Sequence, residues 1–280
     1  MRPVANSTGR FHIYLFKKRG KPMSYLRLEG LNAIVSGGAA GAGGAASDIF
    51  AREGAHVAIV DIQDVAGEAL AHSIRERGGR AFFVHADVSK ADQVSAAMTK
   101  ILARFENRID VLYNHAGTVL VKPFLDTTEA EWDWMMNVNV KSMYLMTKAA
   151  LPSMIAQGKG TIVNTSSISA VAGTPMEVLY CTSKGACHMF TKAIATEYRP
   201  NGIRCNAVCP GFIRTAHGMR ELKSLRDYNV DVSEADIARL QGRMCEPEEV
   251  AKAALFLASS DSSFVNGETL FVDNGMLTQT

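Results

Sequence analysis

The sequence contains no run of 18 or more apolar residues, and its uncharged stretch Asn32–Ser47 is mostly Gly and Ala, too weakly apolar for a bilayer. No membrane partner is expected. Cysteine is scarce: there are five, an odd number, with no Cys-x-x-Cys pair. Cys205 and Cys209 stand beside Val208 and Pro210, as at a strand end, and no His pair follows. This excludes a disulfide framework and offers no metal-ligand spacing, so no metal is expected, and free thiols point to a reducing, cytoplasmic setting. Acidic residues are missing from residues 1–22, which carry six Lys or Arg. The net charge is only +2, so the remainder is mildly acidic. A nucleic-acid-binding domain would concentrate basic residues on its folded part, and no nucleic-acid partner is expected. With 47% hydrophobic and 21% charged residues, disorder, collagen and coiled coil are excluded as well.

The apolar patch Phe11–Phe16 is shorter than the roughly 7–15 residues of a secretory core. The basic start reads either as a transit-like segment or as a run upstream of a natural beginning at Met23. The second reading is preferred, because domain signals begin at Leu28–Leu31. Residues 1–27 are assigned to an extension and 28–280 to one domain.

Within that domain, short apolar runs alternate with helical stretches. The runs are 32–36, 56–61, 81–85, 110–113, 161–165, 204–208 and 269–272. Between them lie helical stretches to Arg52, over 89–106 with Ser89 as N-cap, and two long ones over about 129–157 and 178–197. Several runs do not alternate apolar with polar residues, which suits strands covered on both faces. Strand–helix alternation of this kind predicts an α/β fold, a doubly wound, mainly parallel sheet with helices on both faces.

A glycine-rich turn, Ser36-Gly-Gly-Ala-Ala-Gly-Ala-Gly-Gly44, separates the first strand from the first helix. Gly37, Gly41 and Gly43 allow tight turning and close approach of the backbone to a pyrophosphate, and the helix N-terminus adds unpaired N–H groups. Asp61 ends the second strand 18 residues after Gly43, near the spacing of an acid that binds a ribose 2′-hydroxyl. A carboxylate there repels a 2′-phosphate, and no Arg or Lys lies between Ser36 and Ala51 to offset it. NAD is therefore expected in preference to NADP.

Three further features fall into line. Ser167 follows a strand, Tyr180 comes 13 residues later, and Lys184 stands four beyond Tyr180. The pattern resembles the short-chain dehydrogenase/reductase family, whose signature is Ser followed by Tyr-x-x-x-Lys. Ser36-Gly-x-x-x-Gly41-x-Gly43 is similar to the family's Thr-Gly-x-x-x-Gly-x-Gly loop. Asp87-Val88, Asn114-His115-Ala116-Gly117, Asn139, Pro210-Gly211 through Thr215, and Val272-Asp-Asn-Gly275 resemble its remaining motifs in order, with His115 where the family has Asn. The resemblance spans about Gly30 to Met276. It implies a Rossmann-like single domain with a seven-stranded sheet, and catalysis by Ser167, Tyr180, Lys184 and Asn139. It further implies a dinucleotide held by Gly37, Ala40, Gly41, Ala42, Gly43, Asp61, Ile62, Asp87, Val88, Asn114, Ala116, Gly117, Tyr180, Lys184, Pro210, Gly211, Ile213 and Thr215.

The residue types suit the chemistry. Removing hydride from an alcohol leaves a hydroxyl proton to be taken. A phenol can take it if its pKa falls from about 10 toward 7, a change of roughly 4 kcal/mol. Tyr180 and Lys184 share a helix face. An ammonium about 5 Å from a phenolate supplies roughly 3 kcal/mol at an effective dielectric near 20. Ser167 would orient the substrate oxygen. By the family pattern, Asn139 would hold a water passing protons from Lys184.

Phe212–Met244 reads as a substrate lid, with six basic and five acidic residues between Arg214 and Arg243. That near balance does not favour a strongly anionic substrate. Family analogy adds Ser169, Val171, Met176 and Val178 as pocket lining. The expected function is NAD(H)-dependent hydride transfer to or from a medium-sized secondary alcohol or ketone: alicyclic, steroid-like or sugar-derived. The alternatives are an NADPH-dependent 3-oxoacyl-thioester reductase and a dinucleotide-sensing regulator without turnover. The resemblance also implies a homotetramer packed through the two long helices.

Overall fold

The computed structural model describes residues 26–230 and 232–278. The basic segment assigned to an extension lies outside these residues except for its last two. The strands are Asn32–Ser36 (β1), His56–Asp61 (β2), Arg80–His85 (β3), Val111–Asn114 (β4), Gly160–Thr165 (β5), Ile203–Pro210 (β6) and Thr269–Val272 (β7). They form one parallel sheet in the order β3-β2-β1-β4-β5-β6-β7. The helices are Gly41–Arg52 (α1), Asp64–Glu76 (α2), Ala91–Arg104 (α3), Glu129–Met136 (α4), Ser142–Gln157 (α5), Val178–Glu197 (α6), Ala216–Asp227 (α7), Glu234–Gln241 (α8) and Pro247–Ala258 (α9).

Both faces of the sheet are buried, which is why the strands read as continuous apolar runs. Val35, Ile59 and Val163 pack with Phe50 of α1, Ile74 of α2 and Leu255 of α9. Their neighbours Ile34, Val60 and Ile162 point the other way, onto Ile101 of α3, Met146 of α5 and Ala195 of α6. Each fully buried Ile, Val or Phe contributes roughly 1.5–3 kcal/mol. The sheet grows outward in one direction through β2 and β3 and in the other through β4. The crevice at the carboxyl ends of β1 and β4 is therefore the ligand position of such a sheet.

Buried polar side chains pin α5 and α6 beside that crevice. Asn114 of β4 donates through Nδ2 to Asn164 Oδ1 of β5 at 2.9 Å and to Thr147 Oγ1 of α5 at 3.0 Å. Asn164 Nδ2 donates in turn to Thr191 Oγ1 of α6 at 2.9 Å. In a dry interior these bonds specify which helix lies on which strand, because any other pairing leaves a buried amide unmade.

Two local expectations are corrected. Ser89 does not cap α3: its amide and hydroxyl both donate to Asp87 Oδ1, at 3.0 and 2.6 Å, so the helix starts after Lys90. The helical stretch over about 129–157 is interrupted by a π-helical turn, Asn137–Lys141, between α4 and α5. Such bulges often occur at functional sites. Residues 212–244 contain α7 and α8, closed over Leu222, Ile237 and Met244.

Asn164→Ala removes the centre of the buried amide chain. It should lower the unfolding free energy by about 2–3 kcal/mol, measured by urea denaturation, with an unchanged denaturant slope.

Candidate functional site

The residues singled out in the sequence converge at the carboxyl ends of β1, β2, β4, β5 and β6. β1 runs into the glycine turn, where Gly37 adopts φ +65° and a Cβ would lie 2.8 Å from Ala116 Cα. Gly43, in the first turn of α1, is tighter still: a Cβ would sit 2.0 Å from the Gly37 carbonyl oxygen and 2.6 Å from His115 Cδ2. Ala40 stands at the N-cap of α1 with no side-chain cap, and the first turn carries no acid. Ala40 and Gly41 are exposed while Ala42 is buried beneath them. The leading amides of α1 thus open outward, a donor set that fits a pyrophosphate.

Asp61, at the end of β2, faces this turn. Its Oδ2 accepts from Ala39 N at 3.1 Å, and its Oδ1 accepts from Ile62 N at 2.8 Å and Gln63 N at 3.1 Å. Ile62 beside it is exposed. On the neighbouring strand end, Asp87 is fixed by Ser89, its own amide donates to Gln93 Oε1 at 2.8 Å, and Val88 is buried. Past β4, the amides of His115 and Ala116 donate to Ser36 Oγ at 3.2 and 3.3 Å, so the Ser36 hydroxyl ties the end of β1 to the segment after β4. Beyond Pro210, Gly211 is packed so closely that a Cβ would lie 2.0 Å from Gln241 Oε1. Ile213 bridges to Cys245, and Thr215 caps α7 through Gly218 N at 3.0 Å. Thr215 also meets the glycine turn, 3.4 Å from where a Gly41 Cβ would be.

Ser167, Tyr180, Lys184 and Asn139 are brought together. The Ser167 side chain lies close enough to the Tyr180 phenol to lower its pKa, and its hydroxyl accepts from Ser169 N at 3.1 Å. Lys184 is buried, donates to Thr165 O at 2.9 Å, and holds its ammonium 5.6 Å from the centroid of the Tyr180 ring. Asn139 projects from the π-helical turn. Its Oδ1 accepts from Thr118 N at 2.7 Å, and its Nδ2 donates to Thr118 O at 2.8 Å and Ser183 Oγ at 2.9 Å. Gly117 separates Asn139 from Lys184, since a Cβ there would be 3.4 Å from Asn139 Oδ1 and 3.5 Å from Lys184 Nζ.

The electrostatics differ from the simple expectation in one respect. The chain's own groups hold the Tyr180 phenol above its ordinary value: burial raises it most, and the Glu221 charge adds to this, against a smaller lowering by Ser167. Burial also lowers Lys184. A lone ammonium in the chain therefore does not bring the phenol toward neutrality, and the remaining stabilisation of a phenolate must come from a bound group.

Two carboxylates escaped the sequence reading. Glu177 stands three residues before Tyr180, within the stretch assigned to pocket lining, and Glu221 lies on α7. Burial, then the Glu221 charge, raises Glu177 to about 8, and burial raises Glu221 to about 7. Acids are common at helix starts and on lid helices, so neither position stood out. Of the residues assigned to the lining, Ser169 meets Thr174 Oγ1 at 3.3 Å, Val171 and Val178 are exposed, and Met176 adopts φ +65°.

Against this geometry, the family described as enoyl-(acyl carrier protein) reductase matches residues 37–277. The chain is 40% identical over 242 residues to cyclopentanol dehydrogenase of Comamonas testosteroni, covering 86% of this chain and 95% of that protein. It belongs to the short-chain dehydrogenase/reductase family. As a member it is also 40% identical, over 245 residues, to the 3-oxoacyl-[acyl-carrier-protein] reductase of Chlamydia trachomatis, with 87% of this chain and 96% of that one covered. Among solved structures, levodione reductase superposes with a TM-score of 0.86 at 30% identity, over 91% of this chain and all (100%) of the other. A gluconate 5-dehydrogenase from Burkholderia cenocepacia, in complex with NADP and tartrate, gives 0.82 at 31% identity, with coverage of 91% and 98%. The chain is thus an oxidoreductase of a family that binds a nicotinamide dinucleotide. Among the described residues no cluster of His, Cys, Asp or Glu is placed to hold a metal, and no helix is long and apolar enough to cross a membrane.

His115, the departure from the family motif, is enclosed behind the glycine turn. Its Nδ1 meets Thr165 Oγ1 at 2.9 Å and Tyr113 OH at 3.2 Å. Burial, then the charges of Lys184 and His217, push it down to about 3, and burial with Lys184 pushes His217 to about 4. Both rings are neutral in the folded protein, whereas an unfolded histidine titrates near 6.5. Between these values the unfolded chain binds more protons, so stability is full above about pH 6.5 and is lost as pH falls toward 4 and below. The thermal midpoint should drop over that window, and the drop should shrink in His115→Asn.

Proposed function

We propose that this protein is an NAD(H)-dependent dehydrogenase that interconverts a medium-sized secondary alcohol, alicyclic, steroid-like or sugar-derived, with its ketone. The observation that carries this reading is the buried Lys184 ammonium 5.6 Å from the centre of the Tyr180 ring, with the Ser167 side chain acting on the same phenol. Catalytic roles follow for all three residues. When bound, the nicotinamide supplies the hydride acceptor for oxidation or the donor for reduction, and a positive charge in its oxidised form. Tyr180 takes the substrate hydroxyl proton in oxidation and returns it in reduction. Ser167 holds the same substrate oxygen and sets its direction toward Tyr180. Lys184 favours the phenolate as a compact charge and reaches a cofactor ribose. Asn139 positions a water in the gap kept open by Gly117, through which protons pass onward from Lys184.

For the dinucleotide, the turn from Gly37 to Gly43 and the amides of α1 would carry the pyrophosphate, with Pro210, Gly211, Ile213 and Thr215 beside the nicotinamide. Asp87 and Val88 would line the adenine, and Asn114, Ala116 and Gly117 would back the ribose and nicotinamide. Three backbone amides orient the Asp61 carboxylate, with Gln63 Nε2 at 3.4 Å the weakest of its donors, and a ribose hydroxyl would take that weakest place. A 2′-phosphate would meet that charge without a basic partner in the turn. A second reading, an NADPH-dependent 3-oxoacyl-thioester reductase, is favoured by the 40% identity to a reductase of that name and opposed by Asp61. A sensing role without turnover would leave the Ser167–Tyr180–Lys184 arrangement without a purpose.

Exposed apolar side chains on the long helices, Trp132, Trp134, Tyr144, Ile155 and Met189, support a homotetramer formed through α4, α5 and α6. Light scattering at micromolar protein should give about four times the chain mass of 30.3 kDa, and a monomer mass would end that reading. Five unpaired cysteines support a reducing, cytoplasmic location.

The activity is tested by absorbance of reduced nicotinamide, with secondary alcohols, sugars and hydroxyacyl thioesters offered beside NAD⁺ or NADP⁺. Turnover with NAD⁺ is expected, and Tyr180→Phe should reduce it by about 10²–10⁴-fold. Turnover confined to NADP⁺ would reverse the assignment made to Asp61.

A further inference from the structure

Glu177 is 1% exposed, and neither carboxylate oxygen has a hydrogen-bond partner within the protein. It enters α6 as the N-cap residue, yet its side chain caps nothing. The π-helical turn with Asn139 packs on α6 nearby, and Tyr180 lies one helical turn ahead. The groups acting on this carboxyl include no cation; they are Glu221, which repels it, and the Thr174 side chain, which offsets part of its burial. Glu221 comes from α7 in the lid, and its charge reaches Tyr180 and Lys184 as well as Glu177. Neither glutamate forms an ion pair among the described residues.

A buried carboxylate without donors is costly, and two that repel each other cost more. Folding alone gives no reason for the arrangement. Its position gives one: Glu177 stands at the N-cap of α6, one turn before Tyr180, and its charge and that of Glu221 from the lid both act on that phenol. This builds on the proposed alcohol–ketone chemistry and narrows its substrate. We propose that Glu177, with Glu221, is the specificity element of the site, and that it recognises a hydrogen-bond donor on the substrate carbon next to the reacting carbinol. The substrate class is thus a vicinal diol or an amino alcohol, with the corresponding hydroxy- or aminoketone, rather than a simple secondary alcohol. Both members of the class bring donors to acceptor oxygens that have none.

Three matched probes test this: cyclopentanol, cyclopentane-1,2-diol and 2-aminocyclopentanol, each with NAD⁺ and NADP⁺. In the wild type, the diol or the amino alcohol should exceed cyclopentanol in kcat/KM by about tenfold or more, the worth of one well-made hydrogen bond. Glu177→Met fills the space without an acceptor and should erase that ratio. Glu177→Gln keeps an acceptor but no charge, so it should preserve a preference for the diol and abolish one for the amino alcohol. Stability supplies a readout independent of turnover. Because the Glu177 carboxyl is raised to about 8 from an ordinary 4.5, its contribution to stability is lost as pH rises between those values. Glu177→Met should therefore raise the thermal midpoint by about 2 °C or more at pH 8, and by less at pH 5. A carboxylate retained for structure would give a lower midpoint in the variant, which would overturn the proposal. Cyclopentanol equal to or better than both other probes would overturn it too, as would a ratio that survives in Glu177→Met. Turnover of none of the three probes with either nucleotide counts against the alcohol–ketone reading itself. Calorimetry of the same probes on the protein–NADH complex then decides the present one, where binding without donor preference overturns it.

Discussion

The contact between Gly43 and the Gly37 carbonyl governs the rest of the site. No Cβ fits there, so α1 enters directly beneath the end of β1, with its leading amides aimed over the sheet edge. The same contact seats the His115 ring, whose Cδ2 bounds the other side of Gly43. His115 then meets Thr165 at the end of β5, and the Thr165 carbonyl receives the Lys184 ammonium. One steric constraint in the glycine turn is thereby transmitted through three strand ends to the lysine beside Tyr180. A larger side chain at position 43 would disturb the nucleotide cradle and the proton-handling group together.

Burial sets the electrical character of this region. A parallel sheet covered on both faces leaves little water around Tyr180, so several titratable groups there are displaced toward their neutral forms. Tyr180, Glu177 and Glu221 are raised, while His115, His217 and Lys184 are lowered. Such a site resists gaining charge by itself and responds strongly to any charge delivered into it. A cationic nicotinamide or a donor-bearing substrate would act on these groups with far more effect than in water. The polar chain through Asn114, Asn164, Thr147 and Thr191 uses neutral amides and hydroxyls bonded to one another where ions would be too costly, with only Asn114 Oδ1 of the two amides left without a partner.

Much of this was legible before any coordinates. Double-sided apolar runs at 32–36 and 56–61 identify buried parallel strands because a covered strand cannot tolerate a polar alternation. The glycines at 37, 41 and 43 are legible because only glycine meets their backbone demands, and Ser167, Tyr180 and Lys184 because their spacing is that of a known family. Less legible were places where two local options compete. Ser89 had the appearance of a helix cap, but Asp87 takes its hydroxyl and amide first. The 129–157 stretch had the periodicity of one helix, and the π-helical turn that carries Asn139 leaves no mark in hydrophobic spacing.

By itself, then, the sequence determined the doubly wound parallel sheet, the glycine turn after its first strand and the short spacing that joins Ser167, Tyr180 and Lys184. Each of these rests on local chemistry or short spacing: which residues can bend, alternate, or share a helical face. The tertiary structure alone decided how those groups are charged and what surrounds them. Glu177 and Glu221 lie 44 residues apart in sequence, and only the tertiary fold brings both charges to act on Tyr180. His115 shows the same division. The sequence marks it as a substitution in a loop, and burial against Gly43 and Thr165 makes it a neutral prop under the nucleotide turn. Desolvation and through-space charge depend on what packs around a group, and neighbours in space are not neighbours in the chain.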